Sequence, residues 1–142
     1  MLGVLLGLSL SSCSKMASDE KNIIGKWQST SVNEKDYEAG KLVSENTTNC
    51  VDWYLGFNFK EDGTGQMIYF EEGEAETVQG TWVIMSDKLI VTAKGDSNTE
   101  ESSTFNIKEI KSDTMVLSMT EEGTSNGIKY ENVMTYTFRK LK

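Results

Sequence analysis

Twenty-two acidic side chains carry most of the chemistry open to this chain, which has no His and only two Cys among its 142 residues. They gather at Glu71, Glu72, Glu74 and Glu76, at Asp96, Glu100 and Glu101, and at Glu121 and Glu122. Paired carboxylates can act as general acid and base or hold calcium. The run Asp96-Ser97-Asn98-Thr99-Glu100-Glu101 starts like a calcium loop, but it lacks the glycine required at the sixth position and the closing glutamate at the twelfth. Each cluster falls where a hairpin tip must be polar, so solvated turn charges are the expected account. The absence of His removes Ser-His-Asp and Cys-His nucleophile systems and the usual zinc ligand. No Gly-x-Ser-x-Gly, phosphate loop or Cys pair occurs either. An enzyme working through carboxylates alone is the least favoured class, the expectation is that the chain is not an enzyme, and no metal or cofactor is anticipated. With 14 Lys plus Arg against 22 Asp plus Glu, the net charge of −8 repels phosphate backbones and excludes nucleic acid as a partner.

The elements that must position these residues are strands. From Ile23 onward apolar and polar residues alternate with period two, broken by turn residues at short intervals, and helical periodicity is nearly absent. Eight strands are predicted: Ile23 to Val32, Trp53 to Lys60, Gly65 to Phe70, Glu76 to Met85, Lys88 to Ala93, Glu101 to Ile110, Met115 to Thr120 and Tyr130 to Lys140. Proline is absent, so the turns rely on Gly, Asp, Asn and Ser. One apolar face per strand implies one shared interior, which an antiparallel up-and-down barrel supplies by pairing its first and last strands. A two-sheet sandwich fits the same alternation; short sequential hairpins favour the barrel. Asn33 to Asp52, about twenty residues with little apolar alternation, reads as a long loop crossing one mouth. Eight strands enclose a space that side chains can fill or that can hold one small ligand.

The first ten residues are uncharged and apolar, too short to span a bilayer as a helix, and read as the core of a signal peptide. The Leu10-Ser11-Ser12-Cys13 that follows resembles the bacterial lipobox. That resemblance implies export, removal of residues 1–12, and a lipid on Cys13. Residues 13–22 then form the lipidated N-terminus and a flexible tether, and residues 23–142 the folded domain. The expected partner of the N-terminus is the membrane, and the expected location is the bacterial cell envelope, at the outer membrane. Cys50 remains as a lone thiol, read as a buried or half-buried small hydrophobe near a strand start.

Ile24-Gly25-Lys26-Trp27 looks like the Gly-x-Trp signature of lipocalins. Phe59-Lys60-Glu61-Asp62-Gly63-Thr64, Gly80-Thr81-Trp82-Val83-Ile84 and Phe105-Asn106-Ile107-Lys108-Glu109-Ile110 are similar to the recurring pattern of small lipocalin-like lipoproteins of Bacteroidetes. The resemblance spans Ile23 to Lys140 and implies an all-β, eight-stranded lipocalin-like barrel. It also implies an Arg over the Gly-x-Trp ring, so Arg139, the only Arg, is expected to close the barrel end over Trp27. Any ligand should then enter at the opposite mouth, with Trp53, Tyr69 and Trp82 as lining residues and Asn33 to Asp52 as a lid. The leading function is binding of a small apolar or amphipathic molecule by a lipid-anchored envelope protein. The alternative is a packed structural or interaction module of the envelope, whose protein partners the sequence does not name.

Overall fold

Three connections are two-residue turns in which both residues have positive φ: Ala39-Gly40 (49° and 80°), Glu72-Gly73 (52° and 84°) and Asn126-Gly127 (52° and 78°). That backbone geometry matches the twist of the flanking strands and makes tight antiparallel hairpins. The computed structural model describes residues 14–95 and 99–142. It contains a helix, α1 (residues 14–23), and nine strands. These are β1 (Gly25–Glu38), β2 (Lys41–Asn49), β3 (Trp53–Phe59), β4 (Thr64–Glu71), β5 (Glu74–Met85), β6 (Lys88–Lys94), β7 (Glu100–Ile110), β8 (Thr114–Ser125) and β9 (Ile128–Lys140). No helix among the described residues is long and apolar enough to cross a membrane.

The sheet order is β2-β1-β3-β4-β5-β6-β7-β8-β9, and β1 also pairs with β9. Strands β1 and β3 to β9 therefore form the expected closed, eight-stranded antiparallel barrel, with β2 outside it. All eight predicted strands are present. The ninth corrects the reading of Asn33 to Asp52 as a loop and lid: this segment is the outer half of β1, a turn, and β2. A bulge at Thr30 makes the change possible. Before it, one edge of β1 pairs with β3, from Gly25↔Phe59 to Gln28↔Gly56. After it, the same edge pairs with β2, from Ser31↔Asn49 to Glu38↔Lys41. The other edge follows β9 throughout, from Trp27↔Lys140 to Glu38↔Tyr130. The outer parts of β8, β9, β1 and β2 thus continue past the barrel as a four-stranded arm.

A second correction concerns residues 14–22, expected to be a flexible tether. They belong to α1, which packs on one end of the barrel: Ile23 is wholly buried, and Met16 and Ile24 pack against the core. Above Ile23 the closed half is filled by aromatic rings. Phe57 lies 5.0 Å from Phe59, 5.9 Å from Phe105 and 5.6 Å from Phe138 between ring centroids. Phe59 meets the edge of Trp82 at 5.6 Å. Phe57, Phe59, Phe105 and Phe138 are all buried, and a space of about 10 Å³ beside Phe57, Phe59 and Trp82 has room for about one water. Such an interior is packed, not hollow.

Candidate functional site at the barrel mouth

Strand register shows what the other half of the barrel presents inward. On one wall Leu117, Tyr136 and Val32 stand side by side; two residues further out come Met119, Met134 and Glu34, and then Glu121, Asn132 and Asp36. The facing wall runs from Phe57, Met67 and Val78 through Leu55, Tyr69 and Glu76 to Trp53, Glu71 and Glu74. Each step out is about 7 Å. Leu55, Met67, Met119, Met134 and Tyr136 are only half-buried although they face inward, because the rows above them are short of apolar side chains. They line the open mouth above the aromatic core, where the β1–β3 ladder has ended at Gln28↔Gly56 and the β7–β8 ladder at Asn106↔Ser118, so that the two walls part.

Polar contacts hold the rim. Asn132 Nδ2 donates to Glu34 Oε1 at 2.8 Å and to Asp36 Oδ1 at 2.7 Å. Tyr69 donates its hydroxyl to Glu71 Oε2 at 3.2 Å, and this bond, followed by the carboxylate's charge, holds the Tyr69 phenol above its ordinary pKa. The Tyr136 phenol is also pushed up, by burial first and then by negative charge at Glu34, Cys50 and Glu121. Cys50, half-buried as expected, places its Sγ 3.4 Å from Ser29 Oγ, and that hydroxyl accepts the Leu55 amide at 2.9 Å.

Two of the three expected lining residues are at this mouth. Trp53 is half-buried on its inner face, and Tyr69 lies beside Leu55 but is 45% exposed. Trp82 is not with them. It faces inward at the closed end, where its Nε1 donates to Lys60 O at 2.9 Å and its ring borders a surface cleft beside α1 residues Ala17, Glu20 and Lys21. The other wall residues, Leu55, Met67, Met119, Met134 and Tyr136, face inward as the period-two alternation that located the strands requires, although that alternation did not single them out from the rest of the interior.

The clustered acids among the described residues are exposed to solvent as expected, but their placement in turns needs a correction. Glu71, Glu74, Glu76, Glu101 and Glu121 lie within strands, with Glu72 alone of the first cluster in a turn. Register puts all five on the inner face, Glu101 opposite Ala93. Among the described residues no group of three or more His, Cys, Asp or Glu side chains is placed to hold a metal ion. Asp96, where the calcium-like run begins, lies outside the described residues, as does Cys13.

At the closed end the cation over Trp27 is Lys140, not Arg139. Lys140 Nζ stands 4.9 Å from the ring centroid and donates to Asn22 O at 2.7 Å; burial lowers its pKa. Trp27 Nε1 donates to Ile23 O at 2.7 Å. Arg139 pairs with Gln28 in register, on the opposite face of the sheet from Trp27, and is exposed.

Comparison with known proteins agrees with this geometry. A family model described as the lipocalin-like domain matches residues 23–117. A lipocalin-like protein from Bacteroides uniformis superposes with a TM-score of 0.51 at 17% identity, covering 84% of this chain and 99% of that one. Insecticyanin from the tobacco hornworm Manduca sexta superposes with a TM-score of 0.59 at 9% identity, covering 86% of this chain and 63% of that one. At such identities the structural likenesses speak for the fold alone. No curated protein matches the chain. A sealed, tryptophan-closed end, an eight-stranded meander and a family match over most of the domain together establish that the chain belongs to the lipocalin-like domain family.

Proposed function

We propose that this protein is a lipid-anchored component of the bacterial cell envelope, at the outer membrane, whose barrel mouth holds a small apolar or amphipathic molecule. The observation that carries the binding half is the row of half-buried Leu55, Met67, Met119, Met134 and Tyr136 facing inward above a filled floor. Inward apolar surface left in contact with water is unfavourable by about 25 cal/mol per Å², and an apolar ligand would remove it. Methionine and tyrosine suit that task, since flexible thioethers and polar-tipped rings adapt to varied shapes. The anchoring half rests on Leu10-Ser11-Ser12-Cys13 behind an apolar run. Mass spectrometry of the protein extracted from its native membrane tests both: a diacylglyceryl mass on Cys13 and a co-purifying small molecule are expected. An unmodified Cys13 refutes the anchor, and an empty barrel that also ignores added apolar probes refutes the binding.

A second reading has its own observation. The arm beyond the barrel exposes Leu42, Val43, Ile128 and Tyr130, and a cleft of about 370 Å³ lies beside Tyr37, Gly40 and Tyr130. This is the surface through which an interaction module would act. Replacement of Val43 and Ile128 with Ser should abolish a protein contact made there and leave small-molecule binding at the mouth unchanged.

A further inference from the structure

We infer that the molecule held in the barrel mouth is a small organic cation with an apolar body. This rests on the reading of the mouth as a ligand site and adds the charge of the ligand. The site itself is the apolar wall; the charged residues decide what fits it.

Those charges have one sign. Above the wall, the inner face carries Glu34, Asp36 and Glu121 on one side, Glu71, Glu74 and Glu76 on the other, and Glu101 between them. Lys35, Lys94 and Lys129 occupy outward registers of the same strands, and Lys41 sits across from Glu38 at the tip of the arm. Among the described residues the ion pairs are Lys15–Asp19, Lys35–Glu45 and Lys111–Glu109, so none draws on the inner carboxylates. Asn132 steadies Glu34 and Asp36 with its amide and brings no compensating charge.

Glu34, Glu71, Glu74, Glu76, Glu101 and Glu121 are exposed and Asp36 is half-buried, so their summed field is screened by water and salt and is strongest between the two walls. The field reaches the wall, since negative charge at Glu34 and Glu121 acts on the half-buried Tyr136 phenol one and two rows below them. An alkyl carboxylate entering this mouth would set its headgroup among like charges, whereas an ammonium head would meet carboxylates. The vertical spacing fits as well. Met119 and Met134 lie one step, about 7 Å, below Glu121 and Asn132, so a short tail on the methionines leaves its head level with the acids. Tyr69, Tyr136 and Trp53 add ring faces that attract cations.

The test uses the purified full chain and three ligands with one ten-carbon tail: decyltrimethylammonium, decanol and decanoate, titrated by calorimetry below their micellar concentrations. The inference requires the ammonium to bind about tenfold or more tighter than decanoate at low salt, with a gap that narrows in about 0.5 M salt. The E34Q/D36N/E121Q variant should lose most of that preference while its decanol affinity stays within about twofold. E71Q/E76Q on the opposite wall provides the same comparison should the first variant unfold. Decanol binding with equal or tighter binding of decanoate overturns the inference and leaves the binding site standing. Failure of all three ligands to bind the folded chain overturns the site and the inference together.

Discussion

Lys140 shows how much a single step along a strand decides. In antiparallel register its side chain shares a face with Trp27, and that of Arg139 does not. Arg139 was already out of phase with the inward Met134, Tyr136 and Phe138, so the alternation contained the correct answer and the resemblance to other lipocalins obscured it. Lys140→Met should destabilise the domain by about 1–2 kcal/mol, through loss of the cation over the ring and of the bond to Asn22 O. Arg139→Ala should fall within about 0.5 kcal/mol of the parent. Chemical denaturation of both variants checks the pair, and a larger loss for Arg139→Ala would reverse the assignment. Tyr136 makes a pH prediction. Its folded-state pKa is raised by burial and negative neighbours, so folding favours the neutral phenol. That stability is complete below the unfolded value near pH 10 and declines as pH rises through the folded value. Tyr136→Phe should therefore flatten the alkaline limb of the stability profile, and an unchanged limb would show that Tyr136 is not its source.

At the scale of elements, the sequence revealed strands wherever one face was apolar. It concealed β2 because all nine residues of that strand are exposed, so the period-two signal had nothing to modulate. Helix α1 was concealed for a related reason: the residues it buries are the apolar Met16 and Ile23 with the acidic Asp19 between them, too few apolar ones for a 3.6-residue period to register. Strand β2 is also an edge of the sheet, and its amides should exchange with deuterium well before those of Gly56 to Phe59 in β3 and Met115 to Ser118 in β8, where those strands are paired on both sides. Equal protection would mean the arm is held by more than the β1 ladder. Two glycines carry a backbone demand. Gly25 joins α1 to β1 at a φ of +133°, where side chains are disfavoured. A Cβ on Gly80 would come within 2.1 Å of Thr92 O, which shows how closely β5 and β6 approach. Gly80→Ala should cost about 1–3 kcal/mol, as overpacking does. A neutral result in thermal unfolding would mean that β5 and β6 can separate without loss.

Over the whole molecule, the two ends of the barrel differ in kind. Alternation identified which residues face inward, but not how deep each one lies, because depth depends on closure and strand stagger. Trp82 was placed at the wrong end for that reason, and the acids seemed to be hairpin tips because the strands run further out than their apolar stretches. The proposed anchor acquires a direction from α1, which follows Cys13 in sequence and packs on the closed end. A lipid at Cys13 would hold the closed end near the membrane and turn the mouth away from it. Strand β9, 13 residues long, separates the closed end from the tip of the arm by about 40 Å. With the lipidated protein on vesicles, a spin label at Ser112 in the β7–β8 turn should be relaxed by a lipid-borne agent, and one at Asn126 should not. The opposite pattern would reverse the orientation.

The central claim is that the inner wall of the mouth receives the ligand, and the methionines report on it directly. Met67, Met119 and Met134 face into the mouth, Met115 is buried in the core, and Met85 is exposed on the outside of the barrel. Methyl NMR of the labelled methionines during titration with decanol and decyltrimethylammonium separates the three environments. Saturable shifts at Met67, Met119 and Met134, with Met85 unmoved, are the predicted result. Saturable shifts confined to Met85, or three mouth methyls that stay fixed throughout, would contradict it.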